Sequence, residues 1–108
     1  MKKILLIILT VITFIFPAPA NTITVNSIPS LLQAINNSKP GDRIIVADGV
    51  YTTSESILIS KQGTANTPII IEAETIGGVE IAGTNGFVIN SPSSFITIKG
   101  FRFTHKTG

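Results

Sequence analysis

Very short apolar runs recur along this chain at a spacing too small for separate domains. Ile44-Ile45-Val46 is followed by Ile69-Ile70-Ile71 after 25 residues and by Ile96-Thr97-Ile98 after a further 27. A second series, Ile57-Leu58-Ile59, Val79-Glu80-Ile81 and Phe101-Arg102-Phe103, is spaced by 22 and 22, and a third short run, Phe87-Val88-Ile89, fits between. A period of 22–27 residues holding two or three tiny strands marks a solenoid, because no single repeat can bury its own apolar face. Leucine-rich repeats share this period, but residues 21–108 hold only 3 Leu against 15 Ile, 5 Val and 11 Thr. β-branched side chains favour the pleated surface. The expected fold is therefore all-β, a right-handed parallel β-helix of about three rungs.

Alternation along each run assigns the faces. Ile69, Ile71 and Ala73 point inward with Glu72 and Glu74 outward; Val79 and Ile81 inward with Glu80 outward. Ile96 and Ile98 point inward with Thr97 and Lys99 outward, and Phe101 and Phe103 inward with Arg102 outward. The 27-residue step stacks Glu72 on Lys99, and the 22-residue step stacks Glu80 on Arg102. Two opposite-charge pairs thus emerge from a register chosen on apolar residues alone. The same register makes Ile71 and Ile98 neighbours across a parallel ladder.

One helix is expected over 28–37. Ile28, Leu31, Leu32 and Ile35 fall at i, i+3, i+4 and i+7, Ser27 suits the N-cap and Pro29 the first turn, and Pro40-Gly41 cannot continue it. Placed before the first rung, it would cover an end that otherwise exposes unpaired strands and an apolar interior. No such cap follows Phe101-Arg102-Phe103, so residues 21–108 read as the N-terminal cap and first rungs of an incomplete β-helix domain, the opening piece of a longer protein.

Residues 1–20 carry a different signature. Lys2 and Lys3 precede an apolar run over 4–16 broken only by Thr10 and Thr13, and Ala18-Pro19-Ala20 supplies small residues for cleavage after Ala20. This is the pattern of a secretory signal, and its apolar run is short of the ~20 residues that span a bilayer. The expected location is secreted or periplasmic, with no membrane association after signal removal. The chain has 8 basic and 6 acidic residues. Without Lys2 and Lys3 the two are equal, so the net +2 gives no argument for a nucleic-acid partner. With no Cys, disulfides, thiolate-bound zinc and a cysteine nucleophile are excluded.

The stretch Lys39-Pro40-Gly41-Asp42-Arg43-Ile44-Ile45-Val46-Ala47-Asp48-Gly49-Val50-Tyr51, after the helix, resembles the opening of pectate-lyase-like β-helix solenoids. Gly63-Thr64-Ala65-Asn66-Thr67-Pro68-Ile69-Ile70-Ile71-Glu72-Ala73-Glu74 follows, then Gly77-Gly78-Val79-Glu80-Ile81-Ala82-Gly83 and Phe95-Ile96-Thr97-Ile98-Lys99-Gly100-Phe101-Arg102-Phe103. That order is similar to polysaccharide lyase family 6, the alginate lyases and chondroitinase B, over residues 27–108. The resemblance implies a lyase acting on an anionic uronic-acid polysaccharide, alginate or chondroitin/dermatan sulfate, by β-elimination. A base removes the C5 proton and the 4-O-glycosidic bond breaks, with Ca2+ able to neutralise the uronate, a Lys as base and an Arg stabilising charge. In that family the catalytic Lys and Arg and the calcium-binding Asn and Glu lie on later rungs. No position here matches them, so the catalytic groups are expected beyond Gly108. This segment is then expected to be inactive alone and to hold no cofactor. The alternative is a non-catalytic β-helix for carbohydrate binding or surface adhesion.

Other polar residues have plainer roles beside any functional one. His105 and Lys106 follow the last strand and are the candidates for substrate contact, or else form a polar turn. Glu72 and Glu74 share an outward face, but two carboxylates are too few for a specific calcium site. Asp42 and Asp48 suit turns, as does Asn85-Gly86. Asn66 and Asn90 could each begin a side-chain ladder. With one His, no triad is supported.

Overall fold

The computed structural model describes residues 20–83 and 85–104. The elements in order are β1 (Thr22–Val25), α1 (Ile28–Asn36), β2 (Arg43–Val46), β3 (Gly49–Thr53), β4 (Ile57–Ile59), β5 (Ile69–Ala73), β6 (Val79–Gly83), β7 (Phe87–Ile89), β8 (Ile96–Lys99) and β9 (Phe101–Thr104). They form three parallel sheets, ordered β1-β2-β5-β8 (sheet A), β3-β6-β9 (sheet B) and β4-β7 (sheet C). The chain visits A, B and C in turn and then returns to A one layer on, which is the winding of a parallel β-helix.

The inward faces stack into one core. Ile44, Ile71 and Ile98 follow one another across sheet A, and the first two are at most 1% exposed. Val79, Ile81, Ile57 and Ile59 line the other two walls, equally buried. Each such side chain contributes roughly 1.5–3 kcal/mol by leaving water. Phe103 keeps the inward register of its partner Ile81 but is 50% exposed, because β9 is the last described strand of its sheet.

Helix α1 packs against β1, β2 and β4, closing the near end of the core with fully buried Leu31 and Ile35. The Ser27 Oγ accepts from Ser30 N at 3.1 Å, as an N-cap should. The helix stops one residue earlier than expected, with Asn37 as C-cap. Leu32 leaves the expected stripe and is 37% exposed, since the contact surface is narrow. Ser38 is buried, and its hydroxyl donates to Ile35 O at 2.7 Å.

Three expectations are corrected. First, Ile44 pairs with Ile71, a step of 27 rather than 25. A slip of two residues keeps every side chain on its face, so the apolar pattern could not choose between the registers. Second, Ile57–Ile59 does not share a sheet with Val79 and Phe101. It pairs with Phe87–Ile89, and Gly49–Thr53 takes the place below Val79–Gly83. The inward residues of β3 are Gly49, Tyr51 and Thr53, which carry almost no aliphatic signal. Third, β1 precedes the helix and pairs with β2, as an unanticipated first layer of sheet A.

The corners account for the uneven repeat. The A-to-B corner is two residues long after β2, five after β5 (74–78) and one after β8 (Gly100). From β2 onward sheet A therefore steps by 27 and 27 while sheet B steps by 30 and 22. At the end of the β3–β6 ladder Gly83 pairs with Thr53 at φ +140, and a Cβ there would lie 2.0 Å from Thr53 O. The two backbones approach that closely only because residue 83 lacks a side chain.

Candidate functional site

Rung stacking brings outward side chains of successive layers within reach of each other, so the outer faces are where functional groups could gather. On sheet A, Glu72 lies beside Arg43 from the layer before and Lys99 from the layer after. Its carboxylate accepts a hydrogen bond from Arg43 Nη1 and lies 3.8 Å from Lys99 Nζ. Lys99 is its register partner, whereas Arg43 is diagonal to it, two positions from the partner Ile45. On sheet B, Glu80 accepts from Arg102 Nη2 at 3.0 Å and from Thr104 Oγ1 at 2.8 Å, while Arg102 Nε donates to Gly77 O at 3.2 Å. Both charge pairs foreseen from the register are present. Each is exposed on its basic side and is worth about 0–1 kcal/mol.

The A-to-B corner holds the densest polar cluster. Asp48 Oδ1 accepts from Thr75 N at 3.1 Å and Asp48 Oδ2 from Thr75 Oγ1 at 2.6 Å, and Glu74 Oε1 accepts from Asp48 N at 3.1 Å. Tyr51 OH donates to Ala47 O at 2.6 Å. Burial raises the Tyr51 phenol above its usual 10.0, and the negative charges of Asp48 and then Glu74 raise it further. Asp48 thus clamps the corner of one rung to the next. A Cβ on Gly78 would fall 2.3 Å from Asp48 Oδ1, so a glycine is needed beside that carboxylate. Sequence reasoning foresaw a turn role for Asp48 but missed the cross-rung clamp; the 26–27 residue spacing from Asp48 to Glu74 and Thr75 was the available signal.

The other candidates fall in separate places. Asp42 is a turn residue: Oδ2 accepts from Lys39 N at 2.9 Å and Oδ1 from Asn21 N at 3.2 Å. Glu72 and Glu74 do not converge, since one serves the sheet A ladder and the other the corner. Asn85 offers its main-chain oxygen to Thr53 Oγ1 at 2.9 Å. Asn90 N donates to Ile59 O at 2.8 Å, a main-chain link between layers, and Asn66 sits in the bend between Thr64 and Thr67. His105, Lys106 and Ala18 lie outside the described residues, and Ala20 is exposed. Gly108, beyond which the catalytic groups are expected, also lies outside the described residues. Among the described residues no group of three or more His, Cys, Asp or Glu converges on a point. The carboxylates of Asp42, Asp48, Glu72, Glu74 and Glu80 already receive donors from neighbouring layers or turns. This donor set, each carboxylate already engaged, does not fit a calcium ion. Chemically, the described faces do the work of a scaffold: their charges hold rungs in register.

The chondroitinase B family model matches residues 25–107. The chain belongs to the chondroitinase B family. Among solved structures, the PL6 family alginate lyase AlyGC superposes with a TM-score of 0.69 at 26% identity, over 81% of this chain and 12% of the lyase. A point mutant of that lyase gives the same values. A PL6 family polysaccharide lyase from Pseudopedobacter saltans superposes at 0.66 with 24% identity, over 75% of this chain and 18% of that one; at that identity the likeness speaks for the fold. No curated protein matches the chain. The chain thus spans less than a fifth of the length of either lyase.

Proposed function

We propose that this chain forms the capped first rungs of an exported polysaccharide lyase that cleaves a uronic-acid polysaccharide, alginate or chondroitin/dermatan sulfate, by β-elimination. The observation that carries this reading is the family match over 25–107, supported by the alginate lyase that shares the fold at 26% identity. Coverage of only 12% of that lyase supports a division of labour. The described rungs start the solenoid and fix its register, while the base that removes the C5 proton and the groups that stabilise the developing charge sit on further rungs, beyond Gly108. Export is supported by Lys2 and Lys3, the apolar run over 4–16 and Ala18-Pro19-Ala20. Among the described residues no helix is long and apolar enough to cross a membrane.

The test is the ultraviolet absorbance of unsaturated uronate ends. The product of the whole reading frame should generate it on alginate or dermatan sulfate, and the 108-residue chain should not. Silence from the whole product on every polyuronate would sink the lyase reading and leave carbohydrate binding. Turnover by the 108-residue chain would overturn the division of labour.

A further inference from the structure

A cleft lies at the opposite end from the open rung, between strand β1 and helix α1. Its volume is about 470 Å3, within the roughly 300–1,000 Å3 of small-molecule sites. Two kinds of solvent-exposed hydrogen-bonding group, without a protein partner among the described residues, stand at it.

The first is main chain. Asn21 and Val25 give their carbonyls to Arg43 N and Ala47 N at 2.8 Å each. Residues of a strand turn their amides alternately to either side, so Thr24, which lines the cleft, presents N–H and C=O away from β2. β1 is the edge of sheet A, and no described strand lies beyond it. The second is a set of side-chain carboxamides. Asn21 and Asn26 flank the strand, Gln33 and Asn37 project from one face of the helix, and all four line the cleft. None of the four amide groups has a partner among the described residues. Between them lies an apolar floor of Ile23, 48% exposed, and Ala34. Asp42 is the sole charged lining residue, and both its oxygens already accept from Asn21 N and Lys39 N.

This combination specifies a ligand class. Groups that can each donate and accept suit hydroxyls, which do both. The floor suits the C–H face of a pyranose ring. With no cation and one carboxylate among the lining residues, the cleft disfavours a uronate. We infer that the cleft between β1 and α1 is a binding site for a neutral sugar, distinct in charge preference from the polyuronate substrate proposed above.

The test is amide NMR on the isotope-labelled chain, titrated with neutral disaccharides (cellobiose, maltose and a mannobiose) and with a uronate disaccharide. At least one neutral sugar should give saturating shifts at Thr24 and Gln33, while the uronate gives none. The double variant Asn26→Ala/Gln33→Ala, both exposed positions, should weaken that sugar at least tenfold and leave the urea midpoint unchanged. The inference is overturned by an absence of saturation with all three neutral sugars, by equal shifts from the uronate, by shifts mapping elsewhere, or by saturation only with the extended peptide acetyl-Thr-Ile-Thr-Val-amide. The readout is independent of lyase activity, so failure here and failure of the lyase assay are separate outcomes.

Discussion

Gly83→Ala and Gly77→Ala place the same methyl group at two positive-φ positions that differ in backbone angle and in what surrounds them. At Gly77, φ is +78 and nothing lies within 4 Å of the added Cβ; at Gly83, φ is +140 and the Cβ falls 2.0 Å from Thr53 O and 3.0 Å from Thr53 N and C. Gly77→Ala should therefore cost only the left-handed backbone, about 1–2 kcal/mol. Real Cβ contacts essentially never fall below 3.0 Å, so Gly83→Ala must also push β6 off β3 by about 1 Å at their last pair. That adds the loss of one or two ladder hydrogen bonds at about 0.5–1.5 kcal/mol each, next to the Thr53 Oγ1 to Asn85 O bond. The expected total is on the order of 4 kcal/mol for Gly83→Ala, some 2 kcal/mol beyond its control. With a urea m-value of about 1 kcal/mol per molar, the two midpoints, followed by far-ultraviolet circular dichroism, should differ by about 2 M. Equal midpoints would refute the reasoning, because the close approach of β3 and β6 would then be dispensable.

Two further outcomes follow from the same structure. Tyr51 is the only Tyr and there is no Trp, so phenolate absorbance reports on this group alone. With its pKa raised in the fold, the stability contributed by the neutral phenol is complete below pH ~10 and is lost as pH rises through the folded value; the titration should lie above that of the unfolded chain, and Tyr51→Phe should flatten the alkaline decline in the urea midpoint. Asp48→Ala removes both acceptors of Thr75 and should cost about 1–3 kcal/mol, with hydrogen exchange quickening at Thr75, whereas Asp48→Asn, which keeps one acceptor, should cost less.

The parts of the fold legible in the sequence were those carried by aliphatic alternation and charge. Ile69, Ile71, Val79 and Ile81 announced their faces and set two registers, from which the pairs Glu72 with Lys99 and Glu80 with Arg102 emerged, and the structure shows both residue for residue. The β2–β5 register was not legible, because Ile44 meets an apolar partner at either of two offsets, 25 and 27, that differ by two residues. Strand β3 was hidden because Gly49, Tyr51 and Thr53 fill the inward positions, where Tyr51 packs as a partly buried ring and Thr53 finds its partner in Asn85 O. The site was less legible than the fold. Asp48 and Thr75 are 27 residues apart, and their clamp exists only because corners of two, five and one residues keep the rungs aligned. Asn21, Asn26, Gln33 and Asn37 come together through a strand and a helix whose packing no linear pattern displays.

The position of α1 also bears on the order in which the molecule is built. Chains leave the ribosome amino end first, and here α1, the lid of the core, precedes the strands β2 to β9 that it helps to cover. Each later turn of the coil then meets a finished layer to lie on, with Ile44 waiting for Ile71 and Ile71 for Ile98. Growth by nearest-neighbour addition needs no distant strand to arrive before it can proceed. Such a chain can consolidate layer by layer, with the uncovered end of its core confined to the one advancing tip.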